Sequence, residues 1–198
     1  MPAERHERAD AARNRRAILA ATEDLLTRHR PSDVTIEQVA QAAGVGKGTV
    51  FHRFGSRNGL MIELMRERAV GLAEAVANDP PPLGPGAPPR ERLLAFLDAV
   101  VDVTGRNKGL LAALGQVVPP RSPGDRHPIY ESWHGHISTL IAVQRPDLDA
   151  PVLADLLLAG LHAEPILRLF ERGETERLKR ALRLLADGVL SGADPESP

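Results

Sequence analysis

The sequence predicts an all-α protein, and three observations carry that expectation. Ala, Leu and Arg recur through the 198 residues while aromatic residues make up only 3%. Ala, Leu and Arg lose little on entering a helix, and the residue types that favour sheets are scarce. Apolar residues recur at three- and four-residue spacings, the period of a half-buried helix. A capping box and several Pro- or Gly-containing breaks mark where helices begin and end.

Composition removes several classes. There is no cysteine, so disulfide frameworks and thiolate chemistry are excluded. The first residues are charged (Glu4, Arg5, Glu7, Arg8) and lack the apolar run of a signal peptide. No apolar stretch approaches membrane-spanning length. A cytoplasmic protein with no membrane partner is expected. The net charge of −1 hides an asymmetry. Residues 1–60 hold ten Lys or Arg against seven Asp or Glu, and the remainder fifteen against nineteen. Arg13, Arg15 and Arg16 cluster early, with Lys47, Arg53 and Arg57 further on. Such an excess is the electrostatic footprint of nucleic-acid binding, and equally the pattern of a solvated arginine-rich helix face.

The first periodic segment runs from Asp10 to Arg30, with Ile18, Ala21, Leu25 and Leu26 on one face, and Pro31-Ser32-Asp33 ends it. Thr35 then precedes Ile36 with Gln38 three residues on, the capping-box arrangement. The short helix that follows buries Ile36, Val39, Ala40 and Ala43, and Gly44 is placed to close it in the left-handed conformation. Residues 46–54 are long enough for two more turns. Two short helices joined by a Gly-containing turn form a helix-turn-helix pattern. Val50 and Phe54, one turn apart, pin the second helix to the core. Lys47, Thr49, Phe51, His52 and Arg53 are left facing outward. Long cations there can reach guanine edges or phosphates, and hydroxyls can bond phosphate oxygens.

The run Thr35-Ile36-x-x-Val39-Ala40-x-x-Ala43-Gly44-Val45-x-Lys47-Gly48-Thr49-x-Phe51-x-x-Phe54-x-x-Arg57-x-x-Leu60 resembles the signature of the TetR family of transcriptional regulators. The resemblance implies an N-terminal three-helix DNA-binding domain, residues 1–56, and a larger helical domain for effector binding and dimerisation, residues 57–198. Residues 57–78 would be the connecting helix. It implies further that Thr35 binds a backbone phosphate and that Lys47 contacts a base. Thr49, His52 and Arg57 would hold phosphates, with Arg57 in place of the family's usual Lys, and Gly48 lies within the same reading head. Three positions depart from the pattern. Gly46 stands where Ser is common, weakening the helix cap; Phe51 replaces a Tyr and loses a hydroxyl; Arg53 replaces a second aromatic and adds a cation. A phosphate contact moved from residue 51 to residue 53 is the expectation.

Ser56 can cap a fourth helix over about 57–77, with Leu60, Leu64 and Leu72 on one face. Six prolines between Asn78 and Pro89 then form a stiff non-helical connection. The remainder reads as five helices, at about 89–105, 108–118, 128–145, 150–172 and 175–191, the fourth kinked at Pro165. A polar loop from Pro119 to His127 separates the second and third and is placed to lie over a pocket. Leucines on more than one face of the last two helices point to burial on both a core side and a partner side. The resemblance implies a homodimer through those helices, reading double-stranded DNA at a palindromic operator with half-sites roughly 34–36 Å apart.

His134 and His136 are two residues apart, hence on different sides of a helix and poor co-ligands for one metal, even with His127 or His162. No metal, cofactor or catalytic group is expected, and a regulator fits better than an enzyme. An effector pocket among the later helices has Arg106, Gln116, Tyr130, Trp133, His134 and His162 as candidate polar lining. The mechanism implied is a repressor released from its operator by a small-molecule effector. The alternatives are a regulator of this type without an inducer, and a helical enzyme or carrier.

Overall fold

The computed structural model describes residues 2–113 and 128–191, and among these residues the chain is helical with no strand. The first helix, α1, spans Pro2–Arg28 and starts eight residues before the expected position. Pro2 lies in the first turn, where its missing N–H costs nothing. Next come α2 (Ile36–Ala42), α3 (Lys47–Phe54) and α4 (Arg57–Asn78). The Ser56 hydroxyl accepts from the Gly59 N–H at 3.0 Å, capping α4 as its sequence implies.

Two expectations about the later helices need correction. The segments at 89–105 and 108–118 form one helix, α5 (Pro89–Ala113), through its described end. Gly105 does not interrupt it. A Cβ at Gly105 would lie 2.8 Å from Cδ1 of Phe170, so the glycine makes room for a ring rather than a break. After α6 (Pro128–Gln144), the expected kinked helix at 150–172 is two helices, α7 (Ala150–Ala159) and α8 (Glu164–Glu171), with a 3-10 turn at Gly160–His162 between them. The break lies upstream of the proline. Ala163 is extended (φ −70°, ψ 140°), and Pro165 occupies the first turn of α8, where no N–H is needed. The chain closes with α9 (Thr175–Leu190). Gln116 and the Pro119–His127 loop lie outside the described residues, as does the side chain of His162.

The chain forms two compact units. The first comprises residues 2–68 with 109–113, and the second residues 69–108 with 128–191. Both α4 and α5 contribute to each. In the first unit, Ile18, Leu19, Val34, Ile36, Val39, Val50, Leu60, Met61, Leu64 and Leu110 form one buried cluster. Ion pairs reinforce the packing of α1 against α4: Arg15 reaches Glu63 at 2.7 Å and Glu67 at 2.9 Å, and Arg68 reaches Glu23 at 2.9 Å. In the second unit, Phe96, Leu97, Val100, Ile137, Ile141, Ala154, Leu158, Leu178 and Leu182 are among those closing the core. Antiparallel charged columns join α5 to α9 there. Arg90 pairs with Asp187, Asp98 with Arg183, and Asp102 with Lys179 at 2.7 Å.

Gly105→Ala is expected to lower the unfolding free energy by about 1 kcal/mol, because displacing Phe170 outweighs the better helix propensity of alanine. Phe170→Leu withdraws the ring, so adding Gly105→Ala to it should cost nothing. Chemical denaturation of the four combinations checks this; equal costs in both backgrounds would show that the contact is not the cause.

Candidate nucleic-acid interface

The reading head is built from short-range chemistry. Thr35 adopts extended backbone (φ −102°, ψ 160°) before α2. Its hydroxyl accepts from the Gln38 N–H at 3.2 Å, while its own N–H donates to Gln38 Oε1 at 2.8 Å. The capping box expected from the sequence is therefore present, and Ile36, Val39 and Ala40 turn inward. Gly44 closes α2 with φ +68°, a conformation that suits a residue without Cβ, and the Val45 N–H bonds Ala40 O at 3.0 Å. Gly46 precedes α3 with no side-chain cap, as its composition requires.

On α3, Val50 is wholly buried and Phe54 partly so, which turns the rest of the helix outward. The outward residues fall into three columns of i, i+4 pairs: Lys47 with Phe51, Gly48 with His52, and Thr49 with Arg53. All are exposed except Thr49, which is half-buried. The middle column is open at one end, since a Cβ on Gly48 would meet nothing within 4 Å. In the first column the Lys47 ammonium pairs with Glu37 of α2 and stands 5.7 Å from the centre of the Phe51 ring. Lys47 beside Glu37 also holds that carboxyl below the ordinary carboxylate range. Glu37 was not singled out by sequence reasoning; it lies ten residues from Lys47, a spacing no local pattern reports.

Arg57 is placed differently from the other DNA-contact candidates. Its Nε donates to Val34 O at 2.8 Å, and an Nη donates to Pro31 O. It is half-buried and ties the start of α4 to the loop before α2. A guanidinium can do this where an ammonium cannot, because its donors form a rigid fork.

Of the candidate effector residues, Arg106, Tyr130, Trp133 and His134 are described with their side chains. Arg106 is exposed on α5 and donates to Asp102 O at 3.4 Å. Tyr130 and His134, one turn apart on α6, converge on Asp155 of α7. The tyrosine hydroxyl donates to it at 2.7 Å, and His134 Nε2 lies 3.4 Å from the same oxygen and 3.1 Å from Pro151 O. Their rings stack at 6.0 Å. Trp133 packs, partly buried, against the second core. Among the described residues no group of three or more His, Asp or Glu is placed to hold a metal ion.

Residues 18–64 match the family model for bacterial regulatory proteins of the tetR family. That span contains α2, α3 and the turn between them. The chain therefore carries a TetR-family domain at residues 18–64. It is 28% identical over 182 residues to the HTH-type transcriptional regulator BetI 1 of Chromohalobacter salexigens, an alignment covering 90% of this chain and 78% of that protein. With the BetI regulator of Escherichia coli it shares 36% over 90 residues, 46% of each chain. A transcriptional regulator from Rhodococcus sp. RHA1 has a similar fold, with a TM-score of 0.63 at 21% identity over 92% of this chain and 99% of that one. With that domain the protein is a DNA-binding transcriptional regulator, and its helix-turn-helix is α2–α3.

Because Arg57 serves two backbone carbonyls, Arg57→Ala is expected to cost about 2 kcal/mol of folding stability. Arg57→Lys should recover only part of that loss. Urea unfolding measures both; a neutral Arg57→Ala would remove the structural role.

Proposed function

We propose that the protein is a homodimeric repressor that binds a palindromic operator and leaves it when a small-molecule effector binds. The observation that carries the reading is the outward face of α3, which presents one lysine, one histidine, one arginine and an unobstructed glycine. In this reading residues 1–56 bind DNA, residues 57–198 bind effector and dimerise, and α4 (57–78) connects the two functions. Lys47 exchanges Glu37 for a base edge, most simply a guanine, whose N7 and O6 accept from a cation. Thr35, Thr49 and His52 take phosphates. Arg53 supplies the phosphate contact that Phe51, lacking a hydroxyl, does not.

Dimerisation has its own support. On α7, Val152 and Leu156 are 50% and 66% exposed, and on α9 Leu184 and Leu185 are 75% and 65% exposed. Each helix also buries a separate apolar face in the second core. Large apolar side chains left facing outward on two helices suit a self-complementary contact between copies. A two-fold pair of recognition helices then reads two half-sites. An effector that prefers a dimer with the heads apart shifts the population away from the operator-bound form.

Arg53→Ala should weaken binding to all DNA alike and flatten the plot of log affinity against log salt by about 0.9, the contribution of one phosphate contact. Fluorescence anisotropy across a salt series measures it; an unchanged slope would sink the assignment. Leu156→Glu combined with Leu185→Glu should give a helical monomer in sedimentation with greatly reduced operator affinity. A dimer that persists would place the contact elsewhere.

A further inference from the structure

Among the described residues, three buried side-chain atoms of the second unit have no hydrogen-bond partner: Nε of Arg92, Nε2 of His136 and Oγ of Ser138. On α5, Arg92 lies one turn before Phe96, so the two share a face. The Phe96 ring meets His136 of α6 edge-on, with ring centres 4.6 Å apart and planes at 68°. Arg92 is near enough for its charge to act on His136. Arg92 Nη2 donates to Val76 O at 3.3 Å, yet its Nε is buried with no hydrogen-bond partner, and so is Nε2 of His136. No carboxylate among the described residues bonds Arg92. A guanidinium nitrogen and an imidazole nitrogen, both taken out of water and both unmet, are an unstable arrangement unless something else supplies an acceptor.

The chemistry of the acceptor follows from the surroundings. Burial, and then the charge on Arg92, hold the His136 imidazole below its ordinary range and therefore neutral. A neutral imidazole can donate from Nε2, and Arg92 donates from Nε; two donors and one unneutralised cation call for an anion. Phe96, against which the His136 ring rests, belongs to the apolar core together with Leu93, Val100 and Ile137 of the same two helices. We propose that Arg92 and His136 form the polar end of the effector site and take the carboxylate of an apolar organic acid. The proposal rests on the effector reading given above and narrows it to a ligand class. Neither residue is in the set expected from sequence, because each looks like an ordinary amphipathic-helix residue until its partner is known to be missing.

The test is thermal unfolding of the full chain with straight-chain and aryl carboxylic acids of four to twelve carbons, each beside its matched alcohol and amine. At least one carboxylate should raise the melting temperature by about 5 °C or more at hundredfold excess over its Kd, while its alcohol and amine do not. Arg92→Gln and His136→Asn should each remove the shift, and Arg92→Lys should keep part of it. The same carboxylate should release operator DNA from the wild type and not from Arg92→Gln. The proposal is overturned if no carboxylate stabilises the protein. It is also overturned if the alcohol or amine does equally well, or if the shift survives both substitutions. A compound of another class that stabilises the protein and releases DNA, indifferent to both substitutions, would preserve the effector reading and remove only this site.

Discussion

The reading head depends on the burial of Val50. An eight-residue helix does not hold itself together in water, so α3 exists because its inner face is packed. Val50 is wholly buried in the same cluster as Ile18, Val39 and Leu60, and Phe54 adds a second, partial anchor one turn later. The remaining parts of the head serve that contact. The Thr35–Gln38 box starts α2, Gly44 turns the chain, and Arg57 binds the carbonyls that precede α2. With the inner face committed, the outer face is free to be chemical rather than structural. The regulator can therefore carry Phe51 and Arg53 where relatives of the resemblance carry other residues without disturbing the fold.

Charge is used in two ways, which composition alone does not separate. Of the early cluster Arg13, Arg15 and Arg16, two have acidic partners, Asp10 for Arg13 and Glu63 and Glu67 for Arg15, and further along α1 Arg28 pairs with Asp24. Hydrogen bonds to the two glutamates push the Arg15 guanidinium further toward its charged form, and what they fasten is α1 to α4. Exposed pairs of this kind contribute little stability, about 0–1 kcal/mol, but they neutralise the cations for any outside partner. Arg16 stays exposed on α1, while on α3 the Lys47 ammonium is shared with Glu37.

In the second unit the same residue type does different work on one helix. Leu178, Leu182 and Leu190 of α9 are buried, while Leu184 and Leu185 face outward. Between these faces runs the charged column Lys179, Arg183 and Asp187, matched by Asp102, Asp98 and Arg90 on α5. Such a ladder sets the register of α9 on α5, since sliding by one residue would misplace every pair. Arg92, on the same helix as these matched charges, has no carboxylate partner among the described residues.

What the sequence by itself determined is everything set by neighbours in the chain. The helical class, the capping box at Thr35, the left-handed turn at Gly44, the two short helices and the family follow from spacing and residue type, because capping, turn geometry and helical period act over about four residues. Tertiary structure decided what depends on distant partners. The helix expected to end at residue 105 runs on, and Gly105 there makes room for Phe170, sixty-five residues on. Pro165 reads as a kink, but the chain breaks earlier and places the proline in the first turn of α8. Arg57, whose phosphate role is implied by the family resemblance, is also found to donate to the carbonyls of Pro31 and Val34, which local spacing does not report. In each case the deciding atom lies beyond the reach of local periodicity, and only packing brings it into contact.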